Sequence, residues 1–231
     1  MSRVVSVDLG QQADYTALCM IERVERINPD FDPVEMLMSR ERRRRGMRGF
    51  AYTVPRELPP LYNIVHLERL ELGTSYPAVV TRVKRLIDSP KMQDQPLSLA
   101  LDATGVGTPV YDLFKKDLDW TRIWPVLIHG GDREHFADTF YRVPKREPVS
   151  RAVKLMQRRE LNVSPQLRYA QTLIEELRSF RLKINIATGH DTYEAWRERD
   201  HDDLVLALCI GLWASETKGS GQVTSIQRAI R

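Results

Sequence analysis

The stretch His201-Asp202-Asp203-Leu204-Val205-Leu206-Ala207-Leu208-Cys209-Ile210-Gly211-Leu212-Trp213-Ala214 decides how the rest of the chain is read. Two adjacent carboxylates are followed by eleven residues, 204–214, without a charge or strong polar group. Leucine and alanine favour helix, and a strand is seldom so long and so uniform. A helix that is apolar on nearly every side is buried on nearly every side. The run is also too short to cross a bilayer, which takes about 20 apolar residues. The stretch therefore predicts a core helix that begins with two acids. The helix dipole favours negative charge at that end. Neighbouring carboxylates at the edge of a core repel one another all the same, and a cation relieves the repulsion.

The chain around this helix has 231 residues, which suits one domain with a large insertion. Hydrophobic residues make up 42% and charged residues 29%, the balance of an ordinary globular protein rather than a disordered or fibrous one. The net charge of +4 is compatible with a polyanionic partner without requiring one. Cys19 and Cys209 are the only cysteines, both in apolar surroundings, so two buried thiols in a reducing, cytoplasmic compartment are expected. No signal peptide or membrane span is visible.

Working outward from the helix, Val4-Val5-Ser6-Val7 is a β-branched run that stops at Asp8-Leu9-Gly10. Residues 16–24 read as a second strand, joined to the first by a tight turn at Gln11-Gln12-Ala13-Asp14. Residues 26–60 hold five prolines and the basic run Arg40, Arg42, Arg43, Arg44, Arg45 and Arg48, and read as an insertion, helical around 33–45. Its arginines are either a solvated surface or phosphate contacts. Residues 62–72 alternate as a third strand, and 77–88 carry helical spacing. Leu97–Leu101 is a fourth strand that also ends on an acid, Asp102, and a turn at Ala103-Thr104-Gly105-Val106-Gly107 leads into a helix at 109–117. A fifth strand covers 123–128, with a short extended piece at 140–143 and another at 181–186. Helices are expected at 147–158, 166–180 and 202–215. The order predicts an α/β fold with a mixed central sheet of about five strands, the first three antiparallel and the rest parallel, flanked by helices.

Open α/β sheets place ligands outside the carboxyl ends of their parallel strands. If the first and fourth strands are parallel neighbours, about 4.8 Å apart, Asp8 and Asp102 project from adjacent strand ends. The buried helix then brings Asp202 and Asp203 to the same edge. Acids without thiol ligands form an oxygen-only site that selects Mg2+ or Mn2+ over zinc. Two such ions clamp the attacking and leaving oxygens of an in-line phosphoryl displacement. The plainer alternatives are a turn residue for each strand-ending Asp and a cap for the Asp pair.

These blocks resemble the nuclease domain of viral (bacteriophage) large terminases, of the ribonuclease H-like superfamily. The matching stretches are Val7-Asp8-Leu9-Gly10 with Asp14-Tyr15-Thr16-Ala17-Leu18, Leu101-Asp102-Ala103-Thr104-Gly105-Val106-Gly107, Gly189-His190-Asp191, and His201-Asp202-Asp203-Leu204-Val205-Leu206-Ala207. Arg142-Val143-Pro144-Lys145-Arg146-Glu147 looks similar too. The resemblance implies a single nuclease domain over residues 1–218, within which 26–60 reads as the insertion, and the polar, Gly/Ser-containing tail at 219–231 reads as loose. It implies two Mg2+ or Mn2+ ions held by Asp8, Asp102, Asp202 and Asp203, which are then the catalytic residues. The substrate it implies is double-stranded DNA, cut during genome packaging in the host cytoplasm, with a packaging ATPase and a portal-type partner and no membrane. No Gly-x-x-x-x-Gly-Lys-Ser/Thr motif is present, so the chain reads either as a separate nuclease domain or as a stand-alone relative without the motor role.

Lys145, Arg146, Arg151 and Lys154 are candidate DNA-phosphate ligands, with a solvated helix face as the alternative. His201 is a candidate proton relay beside the acids, or a helix cap or hydrogen-bond partner that orients them, and Asp14 a candidate holder of a metal-bound water or a turn residue. His190 and Asp191 read first as turn residues, and Trp120, Trp124, Trp196 and Trp213 as core. Three other functions remain open: a junction-resolving nuclease of the same fold, an actin-like or sugar-kinase-like ATPase, and an inactive DNA-binding or scaffold module. The ATPase reading is weakened by length, since such enzymes use two similar domains.

Overall fold

The computed structural model describes residues 1–10, 14–46, 54–92, 96–105, 107–118, 121–186 and 202–218. The turn at residues 11–13, His190, Asp191, His201, Trp120, Trp196, Arg48 and the tail 219–231 lie outside them. In chain order, the first strands are β1 (Ser2–Asp8) and β2 (Ala17–Ile27), then helix α1 (Pro33–Arg44), β3 (Glu57–Arg69) and α2 (Tyr76–Ile87). The parallel part follows: β4 (Leu97–Asp102), α3 (Gly107–Asp117), β5 (Arg122–His129), β6 (His135–Ala137) and β7 (Phe140–Pro144). The chain closes with α4 (Arg146–Gln157), β8 (Leu161–Val163), α5 (Ala170–Ile186) and α6 (Asp203–Lys218).

The strands form one mixed sheet in the order β6-β7-β5-β4-β1-β2-β3-β8. β1, β2 and β3 pair antiparallel, while β4 is parallel to β1 and β5 parallel to β4. The five expected strands thus form the middle of the sheet, but the described residues hold eight strands, not five. The additions lie outside the central five: β7 and β6 beyond β5, and β8 beyond β3. β6 and β8 have three residues each, too few to show a period of two.

Two further boundaries move. β3 starts at Glu57, inside the expected insertion, and carries Pro59 and Pro60. The prolines are tolerated because this part of β3 faces a register shift between Val24 and Arg26 on one side, while β8 pairs only with residues 62–64 on the other. Residues 181–186 continue α5 instead of forming a strand. Adding a hydrogen-bonded residue to an existing helix is easier than starting a new element, so the alternation of Leu182, Ile184 and Ile186 is overridden.

α6 packs across one face of this sheet, mainly over β1 and β2. From Asp202 to Ser215 every residue is buried except Leu206, which is half-buried. Leu204, Val205, Ala207, Leu208 and Leu212 share a core with Ala17, Cys19, Ile21, Ile64 and Leu67 of the sheet, Ala152 and Leu155 of α4, and Leu173 of α5. Farther along, Ile210, Trp213 and Ala214 meet Val4, Ala100, Trp124 and Val126. The opposite face is covered by α2 and α3, whose Val79, Val83 and Phe114 pack on Val5, Val7, Leu99 and Leu101. Trp124 and Trp213 are core residues, as their surroundings predict, and both cysteines are buried free thiols. Among the described residues no helix is long and apolar enough to cross a membrane.

The approach of α6 to β1 is set by a single glycine. A Cβ at Gly211 would lie 2.6 Å from Ser6 Oγ and 2.7 Å from Ile21 Cδ1. Ser6 cannot easily turn away, because its buried hydroxyl donates to the Cys19 carbonyl at 3.1 Å. Gly211→Ala is expected to overpack this contact and lower stability by about 1–3 kcal/mol. A lower urea midpoint with an unchanged slope would register it; an unchanged midpoint would mean that the helix can move away freely.

Candidate functional site

The site is built at the carboxyl edge of the parallel strands. β1 and β4 pair in register up to Val7 opposite Leu101, so the next residues, Asp8 and Asp102, end the two strands side by side. Side chains alternate across a sheet, which fixes their direction. Val4 and Ala100 face α6, whereas Val5, Val7, Leu99 and Leu101 face α2 and α3. Asp8 and Asp102 share the parity of Val4 and Ala100 and therefore face α6. Both are buried, at 5% and 3% exposure. The Asp102 carboxylate accepts the Thr104 N–H at 2.8 Å, and Thr104 Oγ1 accepts the Ile128 N–H at 2.8 Å, which ties this strand end to β5.

The same row continues across the antiparallel strands. Asp8 stands opposite Ala17, and Ala17 opposite Arg69 on β3. The register shift between Met20 and Ile21 moves β3 by one residue, so Leu67 and Arg69 reach the α6 face along with Tyr62 and Ile64. Arg69 there meets the first turn of α6. Its guanidinium binds Glu176 of α5 and lies 3.3 Å from the Asp203 carboxylate, with the Tyr15 ring 4.9 Å away. The second oxygen of Glu176 accepts the Val205 N–H at 3.3 Å. One acid from α5 thereby satisfies an N–H that the start of α6 leaves open.

Burial pushes the Glu176 carboxyl up to about 7; Arg69 and the Val205 N–H oppose the rise, and the Asp203 charge adds to it. Desolvation outweighs the ion pair here because Glu176 is 8% exposed. On the other flank, Asp202 and Lys145 are within electrostatic range of Cys209. Burial pushes that thiol up to about 12, Asp202 adds to the rise and Lys145 opposes it. Lys145 follows the last residue of β7, and its N–H donates to the His129 carbonyl at 3.0 Å. It therefore belongs to the same edge of the sheet as the aspartates.

The expected site residues are thus partly gathered. Asp8 and Asp102 are adjacent on one face, and Asp202 and Asp203 open the helix that crosses that face, at 8% and 5% exposure. Asp203 is turned to Arg69. The donor set is oxygen-only, which in kind fits a hard divalent ion. Among the described residues, however, no three His, Cys, Asp or Glu side chains stand close enough together to hold one. The fit is one of donor chemistry, carried by the Asp8–Asp102 pair, without a completed cage. Asp14 is exposed on the loop after β1. Gly10 is required in that loop, since a Cβ there would run into the backbone of Asp14 and Tyr15.

Of the basic residues, Arg146 is paired with Asp132 at 2.9 Å and Arg151 with Glu216 at 3.2 Å. These two are occupied by acids of the chain itself. Lys154 is exposed on α4, and Lys145 is half-buried at the acidic edge. No family model, curated protein or solved structure matches this chain.

Two residues of the edge escape sequence reasoning, Arg69 and Glu176. A signal for each is present. Leu173, Glu176, Leu177 and Phe180 follow the spacing of one helix face, so an acid sits in an apolar stripe. Arg69 similarly follows Leu67 at the strand period. Because the folded pKa of Glu176 lies above its ordinary 4.5, its contribution to stability is complete below pH 4.5 and is lost as pH rises through about 7. Glu176→Gln is expected to abolish that decline. Urea midpoints of the two proteins across this window check it, and parallel curves would place the titration elsewhere.

Proposed function

We propose that this chain is a Mg2+- or Mn2+-dependent endonuclease of ribonuclease H-like architecture that hydrolyses phosphodiesters of double-stranded DNA, as terminase packaging nucleases do. The observation that carries the reading is the pairing of Asp8 and Asp102: buried carboxylates in register on adjacent parallel strands, facing a helix that itself begins with two acids. The strand order β3-β2-β1-β4-β5, antiparallel and then parallel, supports the architecture. A packaging ATPase, a portal-type partner and a cytoplasmic setting belong to the same proposal.

In this reading Asp8 and Asp102 hold the ion, and the start of α6 supplies the further carboxylate oxygen. A bound divalent ion would supply a polarised water and charge neutralisation for in-line displacement. The chain itself supplies position. Thr104 fixes the Asp102 carboxylate, and burial keeps both acids in one place. In the same reading Lys145, at that edge, is the cation that meets a phosphate oxygen. A second reading, a catalytically silent module that binds or scaffolds DNA, is favoured by the Arg69–Asp203 pair and by the lack of a three-acid group among the described residues.

Incubation of supercoiled plasmid with the protein in Mn2+ separates the two. Cleavage is expected, with Asp8→Asn and Asp102→Asn each reducing it by a factor of about 100 or more while circular dichroism stays unchanged. Mn2+ is also expected to raise the Tm of the parent protein and not of either variant. Cutting that survives both substitutions would overturn the assignment of the acids. A parent protein with neither cleavage nor a Tm response would favour the silent module.

A further inference from the structure

Helix α1 lies on the protein the wrong way round for a surface helix. Its only buried residue is Ser39, and the half-buried Glu35, Met36 and Arg42 share that side, with Glu35 and Arg42 paired at 2.9 Å. Apart from Met36, the larger apolar residues point outward. Val34 is 64% exposed, Leu37 60% and Met38 50%, and Ile27 at the nearby end of β2 is 72% exposed. Surface helices ordinarily do the reverse, because burying the apolar stripe is what holds them in place. On the outward side the apolar first half runs into a basic second half, where Arg40, Arg44 and Arg45 are exposed. Among the described residues, Val34, Leu37, Met38, Arg40, Glu41 and Arg44 line a depression of about 500 Å³ along the helix.

The position of α1 separates it from the acidic edge. It joins Ile27 of β2 to Glu57 of β3, and β2 starts at Ala17 beside Asp8. The eleven residues of β2 carry the chain about 33 Å along the sheet, away from the Asp8 end, before α1 begins.

We propose that the outward face of α1 docks a partner protein through an acidic amphipathic helix, whose apolar residues cover Val34, Leu37 and Met38 and whose carboxylates meet Arg40, Arg44 and Arg45. Charge complementarity selects this occupant. Duplex DNA would meet the arginines but leave the apolar half, Val34, Leu37 and Met38, against phosphate. A membrane surface would have to take up the whole stripe, with Glu41 and its Arg45 ion pair at 3.1 Å in the centre. A helix that crosses α1 meets apolar and charged residues in the series in which they occur.

The test uses the full chain and a labelled synthetic helical peptide with leucines at i, i+3, i+4 and i+7 and glutamates elsewhere. Fluorescence anisotropy is expected to show saturable binding, at least tenfold tighter than for the same peptide with lysines in place of the glutamates. Leu37→Ser with Met38→Ser, and separately Arg40→Glu with Arg44→Glu, are each expected to weaken it tenfold or more. Lys116→Glu, exposed on α3, is expected to leave it unchanged. Absence of saturable binding, or binding indifferent to the α1 substitutions, would overturn the proposal. So would tighter binding of duplex DNA or of phosphatidylserine vesicles through the same residues. Concentration-dependent dimerisation abolished by Leu37→Ser with Met38→Ser would overturn it in favour of a second copy of the chain.

Discussion

The burial of α6 is the constraint on which the other features depend. A helix with no polar side has to be surrounded, and here the sheet lies beneath it with α4 and α5 alongside. It is also pinned at both ends: Glu176 of α5 holds the Val205 N–H in the first turn, and Arg151 of α4 pairs with Glu216 near the last. Gly211 lets the helix axis approach β1 more closely than any larger residue would allow. With its rotation, depth and ends fixed, the helix has no freedom in where it delivers Asp202 and Asp203.

That delivery concentrates negative charge. Asp8, Asp102, Asp202, Asp203 and Glu176 are all buried at one edge of the molecule. Removal from water raises the proton affinity of a carboxylate, and burial holds Glu176 above its ordinary range with a smaller push from the Asp203 charge. Arg69 offsets part of the charge from the β3 side, touching both Glu176 and Asp203. Lys145 stands on the β7 side. Among the described residues the edge is therefore framed by Arg69 on one flank and Lys145 on the other, with the Asp8–Asp102 pair between them.

Much of this was legible in the sequence, because the strongest signals were also the most local. An eleven-residue apolar run after two acids has few readings, and α6 is what it says. β1 and β4 end on their acids as the β-branched and alternating runs imply, and the parallel pairing follows from the helix between β3 and β4. Elements set by tertiary context were not legible. β6 and β8 are shorter than the pattern that would announce them. The last part of α5 reads as a strand by alternation and is helix by continuity. Arg69 faces α6 only because of a bulge, which no propensity reveals. Glu176 sits in an apolar stripe, but the counter-ion that makes this tolerable lies 107 residues away.

The two rims of the sheet are protected in different ways. On one side it ends in β6, a strand of three residues that offers little backbone for pairing. On the other, β8 covers only the middle of β3, and the uncovered early part of β3 contains Pro59 and Pro60, which have no N–H to donate. Among the described residues, β8 and the prolines break the β3 rim into short open runs, and β6 leaves few groups open on the other side. Eight strands in one layer would otherwise be a template for fibrillar growth, and the price of their breadth is met by making the last rungs too short or too proline-rich to add to.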